Sequence, residues 1–160
     1  RFVDGHQHVH HLPGVREVML QALAGVATAV AVRNTGAVIG PGNAFKRWLI
    51  AHSGGTALQR ALRRCGREHN RALLGVYGFD DADYGQRMQR WLAAAPAEGG
   101  LLFCHPGAVD DSAAAASSTD AIAAARLREA AYLGSAAFAD DLAAAGVTLG
   151  AAWRQRPSAD

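Results

Sequence analysis

Two cysteines in 160 residues, Cys65 and Cys104, are too few for a disulfide framework, and a reducing cytosol is the default. No stretch approaches ~18 uninterrupted apolar residues, so no integral membrane span is expected. No charged-then-apolar leader opens the chain, which argues against a signal peptide. A formal net charge of +2 is too small to be the electrostatic footprint of a nucleic-acid binder. Neither H-E-x-x-H nor a second histidine pair occurs, and "GPGNAFK" (40–46) is not a P-loop, because Phe45 stands where the glycine before the lysine belongs. The basic stretch "RALRRCGRE" (60–68) interleaves no aromatic residues and reads as a solvated helical face. The first residue is Arg1 and not Met, and Phe2-Val3 already reads as a strand in progress, so the expectation is a piece of a longer polypeptide.

What is present alternates. Residues 2–10 have a period of two and end at Leu12-Pro13-Gly14, which predicts a strand and a turn. Apolar residues at helical spacing predict a helix over 15–25, stopped by Gly25. A strand over 26–33, a Gly/Pro loop, and a helix pair over 44–52 and 56–66 follow. Next come an apolar segment at 73–79, an acidic helix start at 80–83, and a strand over 99–107 ending on Cys104-His105-Pro106-Gly107. The Ala/Ser-rich stretch 112–119 reads as a mobile loop, 120–132 and 135–145 as helices, and 147–153 as a last strand. Half the residues are apolar, enough for one core, so residues 1–160 are expected to form a single α/β region with parallel strands. In such folds the site gathers at the carboxyl ends of strands. Asp4 to His10, Arg33 and His105 all fall at such ends.

Four of the seven histidines lie between residues 6 and 11, behind Asp4 and Gly5. On a strand, Asp4, His6, His8 and His10 would share one face, with Gly5, Gln7, Val9 and His11 on the other. Stacked imidazoles repel when protonated and are costly to bury unpaired. A divalent ion that accepts a nitrogen lone pair removes both difficulties, and a carboxylate such as Asp4 can take the remaining N–H. The plainer reading is a polar strand end with solvated histidines. A mononuclear hydrolytic ion usually takes three protein ligands, and one strand does not supply them. His52 and His69 read as surface residues on helices. His105 suits a general acid that protonates a leaving amine, or else a residue capping its turn. Cys104, of opposite strand parity, reads as a buried thiol. Arg33 would hold a substrate carbonyl, orient a carboxylate, or simply face solvent.

The stretches "DGHQHVHHLPG" (4–14), "CHPG" (104–107) and "AAARLREAAYLGSAAFADDLAAAGVTL" (123–149) together resemble the YdjC-like carbohydrate deacetylases, the family of chitooligosaccharide deacetylase. "GNAFKRWLIA" (42–51), "NRALLGVYGF" (70–79) and "WLAAAPAEGGLLFCHPG" (91–107) are similar to its hopanoid-biosynthesis-associated branch, HpnK. The resemblance spans about residues 2–150. It implies a metal-dependent hydrolase that removes acetyl groups from N-acetylated sugars on a deformed (β/α) barrel, of which this chain would be the C-terminal portion. In that family an aspartate of a D-D-F-G motif, a histidine from a middle strand and the first histidine of D-x-H-x-H hold the ion. Only the last is present, as His6, and the "CHPG" histidine, proposed as the acid, is His105. Asp4, His8, His10 and Arg33 would then lie behind the ligands or against substrate. Phe103 stands where the family often has Met, and Ala121 where this branch often has Pro. The ion would be Mg2+, as the family is commonly described, or Zn2+, which histidine ligands suit. The implied substrate is an N-acetylglucosaminyl hopanoid or a chitooligosaccharide-like sugar, met in the cytoplasm or, for a hopanoid, at the inner membrane surface. A homodimer is left open. Two other readings stand beside this one: an amidohydrolase-type barrel, and a non-catalytic remnant or binding module.

Overall fold

Asn43 and Asp83 each precede a helical run, and each caps it. The Asn43 side chain accepts from the Lys46 N–H (2.9 Å) at the start of one helix, and Asp83 accepts from the Gln86 N–H (3.2 Å) at another. The structure, a computed structural model, describes residues 1–26, 30–80, 83–107 and 120–153. Its elements in chain order are β1 (Phe2–Val3), a 3₁₀ segment (His6–His11), α1 (Val15–Ala24), β2 (Ala31–Val32) and α2 (Ala44–Ile50). A π-helical turn (Ala51–Gly55) leads into α3 (Thr56–Arg64), followed by β3 (Ala72–Leu74), α4 (Tyr84–Ala94), β4 (Gly100–Leu102), α5 (Ala123–Leu133) and α6 (Ala136–Ala144).

Among the described residues all strand pairing is parallel. β1 pairs with β2 in the register Phe2–Ala31 and Val3–Val32, and β3 with β4 from Ala72–Gly100 to Leu74–Leu102. With helices between the paired strands, this is an α/β arrangement, and neither pair closes into a barrel. Isolated bridges, Val32–His69 and Val38–Leu73, tie the two pairs together. Beside them Asn34 and Asn70 substitute side-chain amides for a ladder. The Asn34 N–H donates to Asn70 Oδ1 (2.7 Å), and the Asn70 amide returns a bond to the Asn34 carbonyl (3.0 Å). Both residues are fully buried, so each polar group needs such a partner.

Each pair carries its own apolar cluster. Val32 packs with Leu23 of α1 and with Leu58 and Leu62 of α3. Leu74 packs with Tyr77 and with Tyr84, Met88, Trp91 and Leu92 of α4, and residues of α5 and α6 close over them. Trp91 is wholly buried, and its indole N–H donates to the Pro41 carbonyl (2.8 Å).

The helices fall where the periodicity puts them, but the strands are shorter and two expected strands fail. Residues 4–10 do not continue β1. Their alternation sets polar residues on both faces, so no apolar face holds them in a sheet, and the chain turns instead. Residues 147–153 form no strand. The Val147 N–H bonds back to the Leu142 carbonyl (2.9 Å) and closes α6, and Trp153 packs on Phe2 (ring centroids 4.7 Å). His69 lies on a bridge and not on a helix, whereas His52 is exposed and stacked on Trp48 (4.7 Å). The segment 112–119 lies outside the described residues.

Candidate functional site

Four chain segments leave the carboxyl ends of β1 to β4 and meet around Phe103. Arg33, directly after β2, is 3% exposed, and its guanidinium lies over the Phe103 ring at 5.0 Å. The His8 ring is 5.5 Å from Phe103, and that of His105 4.3 Å. From the end of β3, Phe79 reaches the His105 ring at 4.9 Å.

The histidine segment owes its shape to two anchors. His10 Nδ1 accepts from the Gly5 N–H (3.2 Å), so its Nε2–H donates to the Arg33 carbonyl (2.8 Å). His11 bonds Thr35 Oγ1 through Nδ1 (2.8 Å) and Ser53 Oγ through Nε2 (3.0 Å). Ser53 already donates to the Ile50 carbonyl (3.4 Å), which leaves its oxygen to accept from Nε2–H and the Thr35 hydroxyl to donate to Nδ1. Between the anchors and β1, Gln7 (φ 49°) and His8 (φ 66°) both occupy the left-handed region. Two consecutive side-chain-bearing residues there cost about 1–3 kcal/mol each, and such geometry persists only where its surroundings over-determine it.

Strand parity is therefore the wrong description of D-x-H-x-H-x-H. Asp4, His6, His8 and His10 do not share a strand face. His10 (3% exposed) and His11 (2%) have both ring nitrogens engaged and no lone pair left for an ion. His6 is exposed, and His8 is half-buried with Nδ1 unpartnered among the described residues. Asp4 pairs with Arg33 Nη2 (2.5 Å), whose guanidinium also donates to the Gly5 carbonyl (2.9 Å). Arg33 is thus buried and not a surface cation, and among the described residues its Nε and Nη1 have no partner.

Burial, then the positive charge of Arg33 and the neighbouring imidazoles, lowers the His8 pKa to about 3. Burial, then His10, Arg33 and Arg16, lowers that of His11 to about 4. Each depressed imidazole stays neutral in the fold while its unfolded counterpart binds a proton, so stability is fully present above about pH 6.5 and is lost on acidification. Melting temperature is expected to fall steadily between about pH 6.5 and pH 4, by roughly 2–4 °C per kcal/mol lost. Thermal melts across that range check it, and an unchanged midpoint down to pH 4.5 would contradict the neutral histidine anchors.

His105 follows β4 by three residues. Its backbone N–H donates to Glu129 Oε2 of α5, and its Nδ1, buried and without a hydrogen bond among the described residues, lies 3.8 Å from Glu129 Oε1. The Tyr77 hydroxyl donates to that same Oε1 (2.5 Å). Burial by itself would raise the Glu129 pKa, but the hydrogen bonds from His105 and Tyr77 hold it below the ordinary value. Cys104 is half-buried, and burial followed by the Glu129 charge pushes its thiol up, which leaves it a poor nucleophile.

Glu129 and Tyr77 escaped the reading of the sequence. The signal was there for Glu129: it stands four residues after Ala125 on the buried face of an alanine-rich helix, where a carboxylate needs a partner. Among the described residues no three His, Cys, Asp or Glu side chains group to hold a metal ion. In comparisons with known proteins, a family model described as YdjC-like protein matches residues 1–144. No curated protein and no solved structure matches.

Proposed function

We propose, from the premise that this chain belongs to the YdjC-like family, that it serves a hydrolase that removes acetyl groups from N-acetylated sugars. The family is typically carbohydrate deacetylase-related, and the observation that carries the reading to this chain is the setting of His105. Its ring sits at the carboxyl end of a parallel strand, edge-on between Phe79 and Phe103, with a buried carboxylate behind it. When water adds to the acetyl carbonyl and the C–N bond breaks, its electron pair stays on the sugar nitrogen. An amide nitrogen leaves poorly unless protonated, and His105 delivers that proton. Arg33, with two buried guanidinium nitrogens unspent among the described residues, turns toward the same rim and holds the carbonyl or the Asp4 carboxylate.

A divalent ion, Mg2+ or Zn2+, would polarise the carbonyl and the attacking water in this reading. His6, exposed beside Asp4, would be the ligand from this segment, whereas His10 and His11 are spent on the fold. The described residues do not by themselves supply an ion's full ligand set. The barrel to which β1–β4 would contribute belongs to the same proposal, as does a homodimer. Among the described residues no helix is long and apolar enough to cross a membrane. The proposed substrate is an N-acetylglucosaminyl hopanoid or a chitooligosaccharide-like sugar, met in the cytoplasm or at the inner membrane surface.

Acetate release by the protein containing this chain tests the proposal, with N-acetylglucosamine oligosaccharides and an N-acetylglucosaminyl glycolipid as probes and Mg2+ or Zn2+ supplied. One free amine should appear per acetate. A folded protein that releases acetate from none of these probes would sink the reading in favour of a binding module.

A further inference from the structure

We propose that Glu129 is the positioning residue of His105, and that Tyr77 holds Glu129 in place for that task. The inference rests on the reading of His105 as the proton donor, but its physical content concerns the imidazole alone.

Glu129 is 0% exposed on α5, between Arg128 and Ala130. Burying a carboxylate costs several kcal/mol unless hydrogen bonds and countercharge offset it, so a Glu there needs a reason. A structural tie would account for one oxygen: Oε2 accepts the His105 N–H and anchors the turn after β4. It does not account for the other. Oε1 accepts from the Tyr77 hydroxyl (2.5 Å) and also faces His105 Nδ1 at 3.8 Å. That gap is beyond hydrogen-bond range, yet Nδ1 is buried and has no other partner among the described residues. A small rotation of the ring closes it, and hydrogen bonds of this kind are often long before substrate binds. Phe79 and Phe103 pack on the ring at interplanar angles of 79° and 74°, which hinders the flip that would carry Nδ1 away from the carboxylate. Phe79 is itself held in the left-handed region (φ 60°), a conformation maintained beside this ring.

The proton accounting follows. With Nδ1–H directed at Glu129, the imidazolium carries its second proton on Nε2, on the far side of the ring. That proton passes to the departing nitrogen, and His105 is left as the neutral Nδ1–H tautomer with Glu129 still ionised. Solvent restores the proton before the next turnover. Tyr77 keeps the carboxylate aimed and tempers its charge. Other polar groups face this cluster: Tyr84 and Arg87 from α4, Cys104 beside His105, Arg126 and Arg128 from α5, and His8 across Phe103. None of them offers a second carboxylate.

Nitrogen-15 NMR of the neutral His105 ring tests this without any substrate. The ring is expected in the Nδ1–H tautomer, directed at Glu129 Oε1. In Glu129→Gln that preference should weaken, because the carboxylate that draws the proton to Nδ1 is gone. In Tyr77→Phe it should strengthen, because the charge on Oε1 is no longer shared with a hydroxyl. These opposite changes in tautomer population separate positioning from a merely structural tie, and Tyr77→Phe decides the matter if Glu129→Gln does not fold. An unchanged tautomer population in folded variants, or an Nε2–H tautomer in the parent protein, overturns the proposal even where acetate is released. The expected changes with no acetate release would instead fault the functional reading alone. With an active protein, Glu129→Gln should lower kcat on N-acetylglucosamine oligosaccharides at least tenfold at unchanged KM, part of the about 10²–10⁴-fold that a general acid supplies. Glu129→Asp should restore a fraction of it.

Discussion

Replacing His105 by asparagine is expected to lower kcat by about 10²–10⁴-fold, the range of general acid catalysis, and to leave KM and divalent-ion content unchanged. Asparagine keeps the backbone N–H that ties residue 105 to Glu129, and it fills much of the same slot between Phe79 and Phe103. What it removes is a ring that can carry a proton and hand it on. If breakdown of the tetrahedral adduct limits turnover, the alkaline limb of the pH–rate profile reports loss of the imidazolium, and in the variant that limb should flatten. Steady-state kinetics over pH, with metal analysis of both proteins, decide the assignment. Should the variant lose its ion, His105 is a ligand; should it keep near-parental kcat, His105 only caps its turn.

A large loss from a single methyl group is expected at Gly75. This residue follows β3 with φ +94°, and a Cβ there would stand 2.1 Å from the Phe103 carbonyl oxygen. Backbone has to move, because the neighbour is not a flexible side chain. Left-handed strain and overpacking each cost about 1–3 kcal/mol, so Gly75→Ala should destabilise the protein by about 2–6 kcal/mol. Opening that contact also breaks the bond from the Phe103 N–H to the Leu74 carbonyl (3.0 Å), two residues before His105. A displacement of about 1 Å at a catalytic group costs on the order of 10²-fold in rate. Urea unfolding and kcat measured on the same preparation check both effects. Gly25→Ala is the control: among the described residues no atom beyond its chain neighbours lies within 4 Å of its Cβ, and a change within about 0.5 kcal/mol is expected there. Equal behaviour of the two variants would refute the role given to the β3–β4 contact.

Much of this arrangement is legible in the residues. The helical spacing over 15–25, the stop at Gly25 and the acidic start before α4 mark helices through local chemistry, and local chemistry is what a sequence displays. The D-x-H-x-H and "CHPG" motifs likewise point to the two stretches that meet around Phe103. What stayed hidden depends on distant partners. Nothing in "HQHVHH" ranks one imidazole above another, yet His10 and His11 are committed to the fold by Arg33, Thr35 and Ser53, more than twenty residues away. Period-two spacing misled for a physical reason: alternation identifies a strand only when one of its faces is apolar. Glu129 was overlooked because a carboxylate in a helix is solvated far more often than buried. The Asn34–Asn70 lock gave no signal either, since both residues read as ordinary loop positions.

The parallel pairing has a consequence for how the chain reaches this state. Partners in β1–β2 and in β3–β4 lie about thirty positions apart, so no strand hydrogen bond forms until a long loop has closed, at a free-energy cost that grows as (3/2)RT ln n. Helices α3 and α4 meet no such delay, because their bonds are local. The early chain is therefore one of flickering helices with no sheet, and the two apolar clusters condense only as each loop closes. The histidine turn comes later still, because the carbonyl of Arg33, to which His10 must bond, has no fixed place until β1 and β2 have paired. Assembly of the rim around Phe103 is on this account the final event of folding, and the first to be undone when the protein opens.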